Sequence, residues 1–152
     1  MDSSTPGAVF LDLAKAFDTV DHETLFKKLY AVGIRGLPLI TLKNYLTNEQ
    51  QYVKINGIRS EMLSIEIGVP QGTILGPLLF IIYINDIFDI VDSQSYIFSY
   101  ADDTSLICYD VSWSLVAKRL QNLLCKVKLW LQNNVLLLES MQIASLYHLE
   151  WF

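Results

Sequence analysis

The chain has 152 residues, 52% of them hydrophobic, and a formal net charge of −5 at pH 7. This size and composition predict one compact domain or a piece of a larger one. A negative net charge disfavours a protein whose whole surface contacts phosphate. The charges of the chain are unevenly distributed, because no Lys or Arg occurs between Ser60 and Ala117.

Cysteine usage and hydrophobic runs narrow the class of protein further. The two cysteines, Cys108 and Cys125, are too far apart for a zinc site, so we interpret both as buried thiols in a reducing compartment. No signal peptide is recognised at Met1, and secretion is not expected. The uncharged run of residues 67–85 is interrupted by glycine and proline, which predicts a loop and a buried helix rather than a membrane span.

The first predicted element is a buried strand over residues 8–13, an apolar run that carries a single charge at Asp12. Two helices follow. The first has Asp21 as its N-cap and continues to about Gly33, and the second covers residues 37–46. This half of the chain therefore places one carboxylate near the end of a strand.

A β-hairpin and a core helix are predicted next. Asn56-Gly57 separates two β-rich segments, 51–55 and 58–67, and both turn residues tolerate the positive φ of a tight hairpin. Residues 74–88, which follow a Gly- and Pro-containing loop, are predicted to be helical. A loop with this composition allows the backbone to approach a ligand closely.

The last predicted elements are two strands within residues 96–109 and a long helix that begins at Ser112 or Ser114. Apolar residues recur at helical spacing along that helix. The order β-α-α-β-β-α-β-β-α predicts an α+β domain in which an antiparallel-rich sheet is packed against helices.

Asp102 and Asp103 stand side by side where the last two strands meet. Adjacent carboxylates repel one another, and a divalent cation removes that cost. Asp12 is a natural third ligand if its strand is a neighbour in the sheet, and oxygen ligands without His or Cys favour Mg²⁺ or Mn²⁺. The alternative is a polar hairpin turn, because Asp is a common turn residue.

The predicted carboxylate ligands lie within two of three sequence motifs that follow one another along the chain. They are FLDLAKAFDTVDH (10–22), GVPQGTILGPLLFIIYINDI (68–87) and YADDT (100–104). Together they resemble the palm motifs of reverse transcriptases, with the strongest resemblance to non-LTR retrotransposons of the jockey or LINE type. The segments YAVGIRG (30–36), YLTNEQQYVKING (45–57) and WLQNN (130–134) also resemble that family.

The resemblance implies a polymerase palm. Residues 1–152 would be a partial reverse transcriptase domain, with the palm core at about 8–139 and a divergent tail at 140–152. The fingers and thumb regions of the family would be largely missing, since the first motif begins at Phe10. A nuclear or cytoplasmic location is expected for such a protein, without a membrane partner.

The resemblance also implies the chemistry. Asp12, Asp102 and Asp103 match the catalytic aspartates of the family, which hold two Mg²⁺ or Mn²⁺ ions at the 3′ end of a DNA primer and the incoming dNTP. The implied reaction is RNA-directed DNA synthesis on an RNA template, by nucleotidyl transfer from dNTP to the primer 3′-OH.

Four further residues match nucleotide-binding positions of the family. Phe17 matches the bulky residue that excludes a ribose 2′-OH, and Gln71 matches the loop residue beside nucleotide and template. Gly72 follows in that loop, and Ala101 matches the small residue near the primer terminus. Asp18 and Asp21 are interpreted as caps of the following helix, and Asp86 as a structural hydrogen-bonding residue.

The chain departs from the family near its C-terminal end. Glu139 replaces an expected asparagine, and no Lys or Arg occurs after Lys128, where the family has a lysine that assists the pyrophosphate leaving group. Two hypotheses therefore remain: a reverse transcriptase fragment, or a catalytically inactive remnant acting at most as an interaction module. A two-metal nuclease shares the carboxylates but gives no reason for Phe17.

Overall fold

The computed structural model describes residues 4–47 and 49–145, and it confirms the α+β class. The contacts divide the chain into two compact units, one made of the residues up to Ala16 and from Ile84 onward, the other of Phe17–Tyr83. The strands are Thr5–Ala14 (β1), Gln50–Gln51 (β2), Lys54–Ile55 (β3), Ile58–Arg59 (β4), Leu63–Ser64 (β5), Ser95–Tyr100 (β6), Asp103–Asp110 (β7) and Leu137–Ser145 (β8). The helices are His22–Ala31 (α1), Leu37–Thr47 (α2), Leu75–Ile84 (α3) and Trp113–Asn133 (α4), with a 3-10 helix at Asn85–Ile90.

The first unit is built on an antiparallel four-stranded sheet in the order β6-β7-β1-β8. Helix α4 covers one face of this sheet through apolar residues spaced three or four apart, which bury against β1 and β7. Helix α4 can pack closely on β1 because β1 has a glycine, Gly7, where the two elements meet. A Cβ atom at Gly7 would lie 2.7 Å from Val116 Cγ1.

The second unit contains α1, α2, most of α3 and two short two-stranded sheets, β2-β5 and β3-β4. The predicted hairpin turn is confirmed, since Asn56 and Gly57 have φ values of 49° and 85°. His22 is buried, and its Nε2 lies 2.7 Å from the carbonyl oxygen of Gly68, which connects the first turn of α1 to the loop before α3.

Asp21 is the N-cap of α1, as predicted. Its Oδ2 accepts a 2.7 Å hydrogen bond from the backbone N–H of Thr24, and this bond holds the pKa of Asp21 below its usual value of 3.8. Asp21→Ala should lower the free energy of unfolding by about 1 kcal/mol at neutral pH. Because the folded pKa is depressed, this contribution is present above pH 3.8 and is lost as the pH falls through the folded value.

Urea denaturation at pH 7 and at successively lower pH values below 3.8 checks the capping prediction. Glu23→Ala is the matched control, since Glu23 is an exposed acid in the same turn that is not the N-cap, and it should cost less than about 0.5 kcal/mol. Equal losses for the two variants at pH 7 would show that the cap does not stabilise α1, and an Asp21→Ala loss that persists in acid would show that the stabilisation does not depend on the ionised carboxylate.

The core helix and the C-terminal tail differ from the sequence predictions. The helix predicted over 74–88 is α-helical only to Ile84 and continues as the 3-10 helix, where Asp86 Oδ1 accepts a 3.2 Å hydrogen bond from Trp130 Nε1. Strand β8 was not predicted, and it places residues 140–145 in the sheet although they belong to the predicted divergent tail. Residues 146–152 lie outside the described residues.

The prediction that both thiols are buried is correct for Cys108 and wrong for Cys125. Cys125 follows the buried Leu123 by two residues on α4, about 200° around the helix, and its side chain is exposed. Burial raises the pKa of the Cys108 thiol. Over the described ranges, no helix combines the length and hydrophobicity needed to cross a bilayer.

Candidate active site

Two of the predicted catalytic aspartates are brought together by strand pairing. The antiparallel register of β1 and β7 places Asp12 directly opposite Asp103. Residues that are directly opposite in such a pair have their side chains on the same face of the sheet, with Cβ atoms about 5 Å apart. The condition under which Asp12 is a natural third ligand, that its strand is a neighbour of the aspartate hairpin, is therefore met.

Ala101 and Asp102 form the tight turn between β6 and β7. Tyr100 pairs with Asp103, which leaves two residues for the turn, and the first of them, Ala101, has a φ of 53°. Both turn residues are exposed. The structure thus places Ala101 and Asp102 immediately beside the Asp12–Asp103 pair, at the same edge of the sheet.

The Asp12–Asp103 pair is electrostatically unfavourable as it stands. Like charges directly opposite each other destabilise a sheet by about 0.2–1 kcal/mol. Within residues 4–47 and 49–145, no Lys or Arg forms an ion pair with Asp12, Asp102 or Asp103. Such a pair is suited to bind a hard divalent cation through carboxylate oxygens.

The described residues do not assemble a complete metal site. No group of three or more acidic, His or Cys side chains lies close enough together to hold an ion in this part of the chain. The register supplies two oxygen ligands of the predicted three, and Asp102 remains on the turn. The carboxylate oxygens thus fit Mg²⁺ or Mn²⁺, but Asp102 does not lie close enough to Asp12 and Asp103 to form a three-ligand site with them.

Strand β8 adds a residue to this edge that was not predicted there. On the other side of β1, Asp12 pairs with Ser140 and Leu13 pairs with Leu138, so that Glu139 is the extra residue of a β-bulge. Glu139 is exposed. The strand beside Asp12 therefore contributes an acid, and no residue of β8 is a Lys or Arg.

Phe17 belongs to the second unit, where its ring contacts that of Phe80 with 4.6 Å between centroids. Phe80 is 1% exposed and lies in α3, whereas Phe17 is half-buried. One face of the Phe17 side chain is therefore held by the core, and the rest remains accessible.

The side chain of Gln71 is hydrogen-bonded to the segment that follows β1. Its Nε2 donates a 2.7 Å hydrogen bond to Asp18 Oδ1, and the backbone N–H of Gly68 donates to the Val20 carbonyl at 2.8 Å. Asp18 thus holds the loop, and the prediction that it caps the helix is wrong because Asp21 occupies that position.

The two glycines of this loop have different surroundings. At Gly68, with a φ of 88°, a Cβ atom would lie 2.9 Å from the backbone oxygen of Asp18, whereas no atom lies within 4 Å of the corresponding position at Gly72. The close backbone approach at Gly68 is therefore to the protein itself. Gly72 is exposed, with a φ of 74°, and its Cβ side is open.

Comparisons with known proteins agree with these features. A family model described as "Reverse transcriptase (RNA-dependent DNA polymerase)" matches residues 2–141. The RNA-directed DNA polymerase from mobile element jockey of Drosophila melanogaster is 31% identical over 130 residues, covering 82% of this chain and 14% of that protein. The probable RNA-directed DNA polymerase from transposon BS of the same species is 31% identical over 144 residues, with coverages of 89% and 16%. The chain thus spans about one sixth or less of the length of these relatives.

Solved structures show the same fold at low sequence identity. Telomerase from Candida albicans, solved with a fragment of telomeric RNA, superposes with a TM-score of 0.70 at 15% identity, covering 93% of this chain and 28% of that one. Telomerase from Candida tropicalis gives a TM-score of 0.69 at 10% identity, with coverages of 95% and 26%. The fold is thus a polymerase palm-like α+β arrangement.

Proposed function

The chain belongs to the reverse transcriptase (RNA-dependent DNA polymerase) family, and we propose that it forms the palm of an RNA-directed DNA polymerase of a non-LTR mobile element. The observation that carries this proposal is the register that places Asp12 opposite Asp103 beside the Ala101-Asp102 turn. A structural turn needs no second carboxylate on the neighbouring strand.

Asp12 and Asp103, with Asp102 from the turn, would hold two Mg²⁺ or Mn²⁺ ions. Bound there, the metal supplies Lewis-acid stabilisation of the negative charge that develops on the transferred phosphate and on the attacking and leaving oxygens. The carboxylates themselves provide the negative charge that holds the cations at this edge. Asp102 and Asp103 are exposed on the hairpin and Asp12 is half-buried near the end of β1, which would leave room for a primer 3′ end and a dNTP.

The remaining site residues are proposed to select and position the nucleotide. Phe17, supported by Phe80, presents a rigid bulky surface that would exclude a ribose 2′-OH. Gln71 and Gly72 lie on an exposed loop that would contact the nucleotide and the RNA template. Ala101 adds little volume beside Asp102, which leaves space for the primer terminus.

A primer-extension assay tests the proposed function. The chain is mixed with an RNA template, an annealed DNA primer, dNTPs and Mn²⁺, and we expect extension that Asp103→Asn reduces by at least about a thousandfold. Asp89→Asn is the matched control, because Asp89 is an exposed acid of the 3-10 helix in the same unit. Equal extension by the two variants would contradict the assignment.

One observation favours the second candidate, a catalytically inactive remnant of the same family. The strand beside Asp12 carries Glu139 and no cation, so the described chain lacks a general acid for the leaving pyrophosphate at that position. A chain that binds Mn²⁺ at Asp12 and Asp103 but shows no extension would support the remnant. The fingers and thumb expected of this family would have to come from the rest of a longer protein.

A further inference from the structure

The β3-β4 hairpin of the second unit carries an unusual pair of cations. Its register places Lys54 directly opposite Arg59, so two positive side chains share one face of a two-stranded hairpin. Like charges in directly opposed positions destabilise a hairpin. The turn between them is a tight two-residue turn in which Asn56 and Gly57 both have positive φ, and it sets the register that pairs the two cations.

These cations are not neutralised within the described part of the chain. Neither Lys54 nor Arg59 forms an ion pair there, and residues 50–64 are all exposed. The segment from Gln50 to Arg59 contains no acidic residue and has a charge of +2, in a chain whose net charge is −5, and it is flanked by Glu49 and Glu61. The hairpin is thus a local positive surface on an acidic protein, and its charge complements an anion.

An aromatic ring lies beside the same pair. The Arg59 guanidinium lies over the Tyr52 ring, with Cζ 5.0 Å from the ring centroid, and Tyr52 is 44% exposed. The ring and the guanidinium are in contact, and because both side chains are exposed they offer a surface for stacking. A cationic pair next to a stacking surface is the combination with which proteins bind the backbone and the bases of a single strand.

We propose that the β3-β4 hairpin binds single-stranded RNA, with a phosphate between Lys54 and Arg59 and a base stacked on the Arg59–Tyr52 pair. A single strand fits better than a duplex, because base faces are accessible for stacking only when they are unpaired. The choice of RNA rests on the proposed function. The hairpin itself lies in the second unit and contains none of the predicted catalytic carboxylates.

Fluorescence anisotropy with a labelled 20-nucleotide RNA tests the proposal in the full chain. EDTA in the buffer excludes any contribution of divalent ions, so failure of the metal site cannot affect the result. The double variant Lys54→Gln/Arg59→Gln should weaken binding by about tenfold at low salt and, because one phosphate contact is lost, reduce the slope of log K against log salt by about 0.7. Tyr52→Leu should weaken binding by at least about fivefold.

The matched control is Lys118→Gln/Lys128→Gln, which removes the same charge from exposed positions of α4. It should change the affinity by less than about threefold. Equal losses for the two double variants would overturn the proposal, as would absence of RNA binding by the unsubstituted chain. Binding of duplex RNA, or of single-stranded DNA, that is tighter than binding of the single-stranded RNA would overturn it as well.

Discussion

Replacing Asp103 with asparagine is expected to abolish Mn²⁺ binding by the chain and to stabilise the metal-free protein. The stabilisation follows from the register, because Asp12 and Asp103 are directly opposed like charges and their repulsion is worth up to about 1 kcal/mol. The loss of binding follows because one of the two paired carboxylates is removed. The same substitution thus has opposite effects without and with the metal.

Thermal or urea unfolding in EDTA and in Mn²⁺ measures both effects. At a Mn²⁺ concentration 100 times Kd, the unsubstituted chain should gain about 2.7 kcal/mol, and Asp103→Asn should gain almost nothing. Asp89→Asn, the exposed control on the 3-10 helix, should gain as much as the unsubstituted chain. A metal-induced gain that survives in Asp103→Asn would place the ion elsewhere.

Gly68→Ala is expected to lower the free energy of unfolding by about 3 kcal/mol. Part of this cost is the φ of 88°, which an L side chain adopts with a penalty of about 1–2 kcal/mol. The rest is overpacking, because the new Cβ would lie 2.9 Å from the backbone oxygen of Asp18, and main-chain atoms cannot turn aside as a flexible side chain does. The loop that carries Gln71 would move with it.

Gly72→Ala separates the two contributions to this cost. Gly72 has a φ of 74° in the same loop but open space at its Cβ position, so its substitution should cost only about 1–2 kcal/mol. Denaturation midpoints of the two variants, measured side by side in urea, provide the comparison. Equal destabilisation by the two substitutions would mean that the contact with Asp18 is not close in solution.

Local sequence signals account for the parts of the fold that were predicted correctly. Asp21 caps α1, and Asn56-Gly57 forms the hairpin turn, because each effect is decided by a few neighbouring residues. A common site for Asp12 and Asp103 could be proposed from the sequence because the three ordered motifs resemble those of a family. The sequence alone left open whether their strands are neighbours, and the structure shows that they pair.

The features that were missed depend on contacts between residues far apart in the sequence. Strand β8 contains few β-branched residues, and it forms a strand because it pairs with β1, which lies more than a hundred residues earlier. The hydrogen bond between Gln71 and Asp18 spans 53 residues and leaves no local pattern. The bulge at Glu139 could be recognised only once that register was known.

Paramagnetic broadening of backbone amide signals by Mn²⁺ tests most directly whether the paired carboxylates form the metal site of a palm. In a ¹⁵N-labelled sample of the chain, sub-stoichiometric Mn²⁺ should first broaden the amide signals of Asp12 and of residues 101–104, which lie at one edge of the sheet. Broadening that begins instead around Asp89 and Asp92, or that spreads evenly over the acidic residues, would contradict the assignment.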